Sequence, residues 1–306
     1  MIIGGKIMSE TIGIVEIGST NTKAYKYNNG LITELGFKTI EFKKNYNLYG
    51  GLAPFDVDSL IKFIKDTFDA KVNIHIYATS VFRELSKKEI YCFENKLKKE
   101  STIISVNIVT AKMENEFTIV GAMKNVPIND NICVFIGGGG STEISICREG
   151  QIIEMVNSNI GVTHIINAFP ELSNDYSAIK IDTVTEHISK ELSLPSQKAN
   201  YLILAGGDFL LRYINAQYPV RENTLFNSIN HPFLISYAEN RMFENKYFHE
   251  ISLTKMKETT PDNPNWWNGT RAMCAFTNAV ALAIGAKVII PTKISMIYGI
   301  VAKITE

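Results

Sequence analysis

Three short glycine turns are the residues of this sequence best placed for chemistry: Gly18-Ser19-Thr20-Asn21, Gly137–Gly140 running into Ser141-Thr142, and Gly206-Gly207-Asp208. Each follows an apolar run of strand type. Glycine reaches φ > 0 and admits a ligand close to the backbone, so that successive amide N–H groups converge on an anion. Neighbouring Ser and Thr hydroxyls add donors. Carboxylates flank two of the turns, Glu16 before the first and Glu143 after the second. Anion cradles with acids beside them are the parts that phosphoryl chemistry needs. None of the turns has the Walker GxxxxGK[ST] or the dinucleotide GxGxxG spacing. Singly, each fits a plain hairpin as well; together, each after a strand, they point to a phosphate site.

The elements that must hold these turns occur twice. Thr11–Glu16 reads as a strand, Thr22–Tyr27 as a second, and Leu31–Lys38 as a third after the Asn-Gly signal at Asn28-Asn29-Gly30. Asp56 reads as the cap of a helix with Leu60, Phe63, Ile64 and Phe68 on one face. Val72–Ala78 is a buried strand, Ser80 opens a helix, Glu89–Lys99 is amphipathic, Ile103–Val109 is a strand and Lys112–Met123 a helix. The order then restarts. Ile132–Ile136 leads into the glycines, Ser141–Cys147 and Gln151–Val156 flank a Glu149-Gly150 turn, and helices follow at Val162–Phe169 and Ile179–Leu192. Tyr201–Ala205 is a short strand, Phe209 opens a helix, and Arg271–Ala286 is a long apolar helix before a strand at Val288–Ile290 and a last helix from Ser295. Pro219–Asn265 yields no clear pattern. A repeated unit of this kind predicts two α/β lobes facing each other across a cleft, 1–126 and 127–306, with the last helix packing back on the first lobe.

Composition narrows the function. The 306 residues carry 31 Lys and Arg against 31 Asp and Glu, a net charge of zero. A protein that coats DNA or RNA needs a basic excess for its phosphate contacts, so no nucleic-acid partner is expected. Cys92, Cys133, Cys147 and Cys274 form no CxxC pair, which argues against a disulfide framework or zinc knuckle. The longest apolar run, Ala279–Ala286, is too short for a membrane span, and the Met-Ile-Ile-Gly-Gly-Lys-Ile-Met start is too short for a signal peptide. The expectation is a soluble, cytoplasmic protein without a membrane partner. Trp266-Trp267 reads as a core or interface pair, and Lys87-Lys88 and Lys98-Lys99 as solvated helix faces.

Several segments resemble the exopolyphosphatase and guanosine pentaphosphate phosphohydrolase family, within the superfamily of actin, hexokinase and Hsp70 ATPases. Glu16-Ile-Gly-Ser-Thr-Asn21 is similar to D-[IL]-G-S-N-S, and Ala78-Thr-Ser-Val-Phe-Arg83-Glu84 to A-T-x-A-x-R-[DE]. Val109–Phe117 is a degraded I-S-G-x-E-E-A-R-L, while Gly138-Gly-Gly-Ser-Thr-Glu143 matches G-G-G-S-T-E throughout. Asn159-Ile-Gly161, Ala205-Gly-Gly207 and Arg271-Ala272 resemble later motifs, in order, over nearly the whole chain.

The resemblance implies a ribonuclease H-like, actin-like ATPase fold and hydrolysis of a terminal phosphoanhydride, in polyphosphate or a phosphorylated guanosine nucleotide. It puts Glu114 in the place of the general base, Arg83 in that of the phosphate clamp, and Glu143 beside magnesium or the attacking water. Gly18, Ser19, Thr20, Asn21, Gly138, Gly139, Gly140, Ser141, Thr142, Gly206 and Gly207 become phosphate binders, Glu16 and Glu143 donors to Mg2+, and a homodimer is plausible. As plain sequence, Glu114 also reads as a first-turn helix acid, Arg83 as a surface ion pair with Glu84 or Glu89, and Glu143 as a solvent-facing strand residue. The chain departs from the family pattern as well. Glu16 stands for the first aspartate, and Ile136, or Phe135 if one glycine is an insertion, for the second; neither apolar side chain binds a metal. His164 stands for a basic residue, and Ser295–Gly299 is a reduced G-L-R-E-G. A non-catalytic binder of nucleotide or polyphosphate and a small-molecule kinase are the rival readings.

Overall fold

The computed structural model describes residues 11–226, 228–261 and 263–305; the expectation for the first eight residues lies outside them. The described chain forms two compact units, one ending at Glu114 and the other beginning at Asn115.

In the first unit, β1 (Ile12–Ile17), β2 (Asn21–Asn28) and β3 (Leu31–Thr39) form an antiparallel meander. Its β2–β3 turn places Asn29 at φ 50° and Gly30 at φ 84°, the left-handed pair that a two-residue hairpin of strand-matching twist requires. Helices α1 (Phe42–Tyr49) and α2 (Pro54–Thr67) follow, then β4 (Asn73–Ala78), α3 (Lys87–Leu97), β5 (Ile103–Ile108) and α4 (Ala111–Met123). β4 and β5 join in parallel, giving the sheet order β3-β2-β1-β4-β5. Val15, Ile17 and Ala24 pack with Val57, Leu60 and Ile64 of α2 in one core.

The second unit repeats the scheme. β6 (Ile132–Gly137), β7 (Thr142–Arg148) and β8 (Gln151–Ser158) are a meander whose turn has Glu149 at φ 50° and Gly150 at φ 76°. After α5 (Val162–Ala168) and α6 (Ile181–Glu191), β9 (Tyr201–Ala205) joins β6 in parallel. Then come α7 (Phe209–Asn215), β10 (Arg221–Glu222), β11 (Phe233–Ser236), α8 (Tyr237–His249), α9 (Leu253–Glu258), α10 (Thr270–Ile284), β12 (Val288–Pro291) and α11 (Met296–Ile304). The sheet runs β10-β11-β12-β9-β6-β7-β8. From β8 to β12 it reproduces the first sheet, and both are mixed α/β sheets of ribonuclease H type, as expected. α10 is mostly apolar and mostly buried, and it packs with α6 and α8 against one face, taking Arg271 and Asn278 into the interior and leaving Leu282 exposed. Ile119, Ala122 and Met123 of α4 pack on the other with Ile294 and Tyr298.

Several expectations need correcting. Asp56 is not a cap: Ala53 precedes the helix, Pro54 starts it, and Asp56 accepts both 3.0 Å bonds from the Asn45 amide. Ser80 opens only a 3-10 turn, Ser80–Glu84; the helix proper begins after Ser86, which forms a reciprocal capping box with Glu89. The division between the two compact units falls inside α4, and Ile119, Ala122 and Met123 belong to a core of the second unit. Among the described residues no helix is long and apolar enough to cross a membrane, and all four cysteines are free.

Candidate active site

In the first unit the turn between β1 and β2 is closed by a 2.9 Å bond from Gly18 N–H to Asn21 O. Its carbonyls are tied down as well: Ile40 N–H donates to Thr20 O at 2.8 Å and Lys43 N–H to Ser19 O at 3.0 Å. The segment after β4 docks on this turn. Thr79 N–H donates to Ile17 O at 2.8 Å, and the Ser19 and Ser80 hydroxyls share a hydrogen bond. Ser80 has φ 55°, a left-handed conformation that a non-glycine residue holds at a cost. That bend carries Arg83 round to α4. Arg83 Nε donates to Val109 O at 2.7 Å, and its Nη2 forms an ion pair with Glu114. Glu84 beside it holds Lys43 at 2.5 Å.

Glu16, paired with Lys23 on β2 and Tyr77 on β4, is half-buried. Desolvation pushes its carboxyl up from 4.5 to about 7, opposed by the Lys23 ammonium and reinforced by the charges of Glu114 and Glu34. The first unit therefore gathers Glu16, Ser19, Arg83 and Glu114 around one turn.

The second unit builds the same turn from different residues. Gly138 N–H donates to Ser141 O at 3.0 Å, as Gly18 does to Asn21. By that equivalence Thr142 corresponds to Thr22, both buried, and Ile136 corresponds to Glu16. Within the chain's own repeat, Ile136 rather than Phe135 thus stands where Glu16 stands in the first unit. The Ile136 side chain is core: a Cβ on Gly206, which has φ 80°, would lie 2.4 Å from Ile136 Cγ2. Glu143 lies opposite Ile136 on β7, half-exposed. Val162 N–H and Thr163 N–H donate to Gly138 O and Gly139 O at 3.0 and 2.9 Å, and a Cβ on Gly161 would stand 2.7 Å from those carbonyls. His164 Nδ1 accepts Gly161 N–H at 3.2 Å, a bond within the chain.

Some expected donors are already committed inside the protein. The amides of Gly18 and Gly138 close their turns, and Gly206 N–H donates to Ile294 O at 2.8 Å. The Thr142 hydroxyl donates to Ile160 O at 2.6 Å. These groups shape the turns, and Ser19, Thr20, Asn21, Gly139, Gly140, Ser141 and Gly207 remain as the candidate anion donors.

The sequence model of the Ppx/GppA phosphatase family matches residues 57–249, from α2 through α8. The chain belongs to the Ppx/GppA phosphatase family. Two solved structures share its fold. The type II variant of the Aquifex aeolicus Ppx/GppA phosphatase aligns with a TM-score of 0.72 over 96% of this chain and 99% of that one, at 13% identity. An exopolyphosphatase from Cytophaga hutchinsonii aligns with a TM-score of 0.68 over 96% and 97%, at 17% identity. No curated protein sequence matches the chain.

In this Ppx/GppA family member, Arg83, Glu114, the Gly138–Glu143 segment and Gly206-Gly207 lie within the matched residues, while the Glu16 turn lies before them. Among the described residues no cluster of three or more His, Cys, Asp and Glu could hold a metal, and magnesium takes one or two carboxylates with water and substrate phosphates. Glu16 is such a hard oxygen donor, and its carboxyl, raised by burial and by neighbouring acids, gains from a nearby cation. Sequence reading passed over Ser80 and Lys43 as site residues, whose signal is a non-local contact, and over Arg212, which lies in the helix after the third turn.

Proposed function

We propose that this Ppx/GppA phosphatase releases terminal phosphate from inorganic polyphosphate or from a guanosine penta- or tetraphosphate. The observation that carries the reading is the Arg83–Glu114 pair, anchored on Val109 O at the first turn of α4 beside the Ser19–Ser80 contact. Glu114 orients a water molecule and takes its proton as the water oxygen attacks the terminal phosphorus. The bond from that phosphorus to the bridging oxygen breaks, and the leaving phosphate keeps the electron pair. Arg83 offers two parallel N–H donors to the phosphoryl oxygens, which a lysine does not. The amides and hydroxyls around Ser19–Asn21, and likewise those around Gly139–Ser141, hold the non-reacting phosphates. Glu16 is the proposed magnesium donor of the first unit and Glu143 that of the second; when bound, the ion supplies charge neutralisation on the anhydride oxygens.

The test is phosphate release from long-chain polyphosphate, guanosine pentaphosphate and ATP, with and without magnesium. Magnesium-stimulated release from either of the first two, well above that from ATP, supports the proposal, and release from none of them contradicts it. One observation favours a second reading. Ile136, packed on Gly206, occupies the position equivalent to Glu16 and offers a metal no oxygen. A non-catalytic binder would take up polyphosphate or the nucleotide tightly and release no phosphate.

A further inference from the structure

We infer that Lys43 is a positioning residue for the phosphate clamp: it draws the Glu84 carboxylate away from Arg83 and cancels a charge that would otherwise repel an incoming polyanion. All the groups concerned lie in the first unit. The inference rests on the phosphohydrolase reading for its choice of ligand, a chain of phosphates.

Glu84 follows Arg83 in one 3-10 turn, Ser80–Glu84. Three residues complete a turn of such a helix, so adjacent side chains leave it about 120° apart. Arg83 runs to Val109 O and to Glu114 on α4. Glu84 runs instead to α1, where Lys43 Nζ donates to its Oε1 at 2.5 Å and to its Oε2 at 2.6 Å. One ammonium thereby engages both carboxylate oxygens. The backbone of Lys43 is tied to the first glycine turn, its N–H donating to Ser19 O at 3.0 Å. The same residue thus borders the candidate anion donors with its main chain and neutralises the acid next to the clamp with its side chain.

Mechanical support of the turn comes from other groups. Phe42, just before Lys43, packs on Phe82, just before Arg83, with ring centroids 5.0 Å apart and both rings buried. The Thr79 N–H and hydroxyl both donate to Ile17 O, at 2.8 and 3.2 Å. The Lys43 and Glu84 side chains, by contrast, are 38% and 52% exposed, and a pair so exposed adds little to stability. Its effect is therefore on charge. Arg83 offsets Glu114, and Lys43 offsets Glu84. With all four present the group is neutral; without the Lys43 ammonium it carries one negative charge, which acts on every phosphate of an approaching chain.

The experiment measures tripolyphosphate binding by calorimetry and phosphate release from long-chain polyphosphate, on the full chain and its variants, at low and high salt. Lys43→Gln should melt close to the wild type and bind tripolyphosphate about tenfold more weakly at about 0.02 M salt. Most of that deficit should vanish at about 0.5 M salt, where screening acts within a few ångströms; a loss of packing would persist there. Glu84→Gln should bind at least as tightly as the wild type. The deciding variant is Lys43→Gln combined with Glu84→Gln, which should recover wild-type affinity because no acid is left to offset. A double variant as weak as Lys43→Gln alone would mean that the ammonium contacts phosphate itself, and would overturn the inference. So would a Lys43→Gln protein with wild-type affinity at low salt, or one whose deficit salt leaves unchanged. This binding pattern without phosphate release sinks the hydrolase reading alone; phosphate release with an impaired double variant sinks this inference alone; neither binding nor release sinks both.

Discussion

At the scale of single residues, Arg83 and Glu114 are half-exposed, so their ion pair contributes about 0–1 kcal/mol to stability. Their value lies in positioning. Arg83→Ala should therefore melt close to the wild type while losing on the order of 10²-fold in kcat/KM, because the two-pronged phosphate clamp is gone; a variant with wild-type kinetics contradicts the role. Glu16 gives a pH signature. Its folded carboxyl titrates near 7 instead of 4.5, so the folded state favours the protonated form. The stability it contributes is complete below about 4.5 and is lost as pH rises through about 7. Glu16→Gln should accordingly match the wild type in melting temperature at pH 4.5 and exceed it at pH 8, and equal differences at both pH values would refute the shift.

At the scale of elements, the position of α4 depends on glycines. A Cβ on Gly299 of α11 would stand 1.9 Å from Phe117 O, and one on Gly121 would stand 2.6 Å from Tyr298 Cβ. The two helices touch backbone to backbone there, which fixes the part of α4 that lies in the second unit. Gly299→Ala should cost about 3 kcal/mol, the upper end for overpacking, and lower the melting temperature by roughly 6 °C or more; an unchanged melting curve excludes the contact. Much of this architecture was legible. Asn29-Gly30, Glu149-Gly150 and the apolar runs around them state the two meanders directly, whereas the helix start at the Ser86–Glu89 box was read at Ser80. The stretch from Pro219 to Asn265 was not, since β10 and β11 are two and four residues long and show no period. α8 there buries Asn240 and Glu244, which breaks the apolar stripe that marks a helix. Arg212 was illegible for the same reason: its surroundings come from α7, α8 and α10, far apart in sequence, and only folding assembles them.

At the scale of the whole molecule, one sheet order serves twice, and the two turns it presents carry different chemistry. The first has Glu16 beside Lys23, and the second Ile136 beside Glu143. The repeated turns were legible as glycine motifs; that Gly18, Gly138 and Gly206 spend their amides internally was not, because those bonds depend on turn closure and on the Ile294 carbonyl. A chain with no net charge has no general pull on polyanions, so affinity for them must come from local donors. Tripolyphosphate at 100 times its Kd should then stabilise the protein by about 2.7 kcal/mol, visible as a rise in melting temperature, and sulfate at the same concentration should not. Equal effects of the two anions would mean that no built phosphate site exists.

The most direct measurement compares the wild type with Glu114→Gln for both magnesium-dependent phosphate release and binding of the same substrate. A Glu114 that takes the water's proton predicts a variant that binds substrate as tightly but releases phosphate at least about 100-fold more slowly. A variant that hydrolyses at the wild-type rate would contradict the account at its centre.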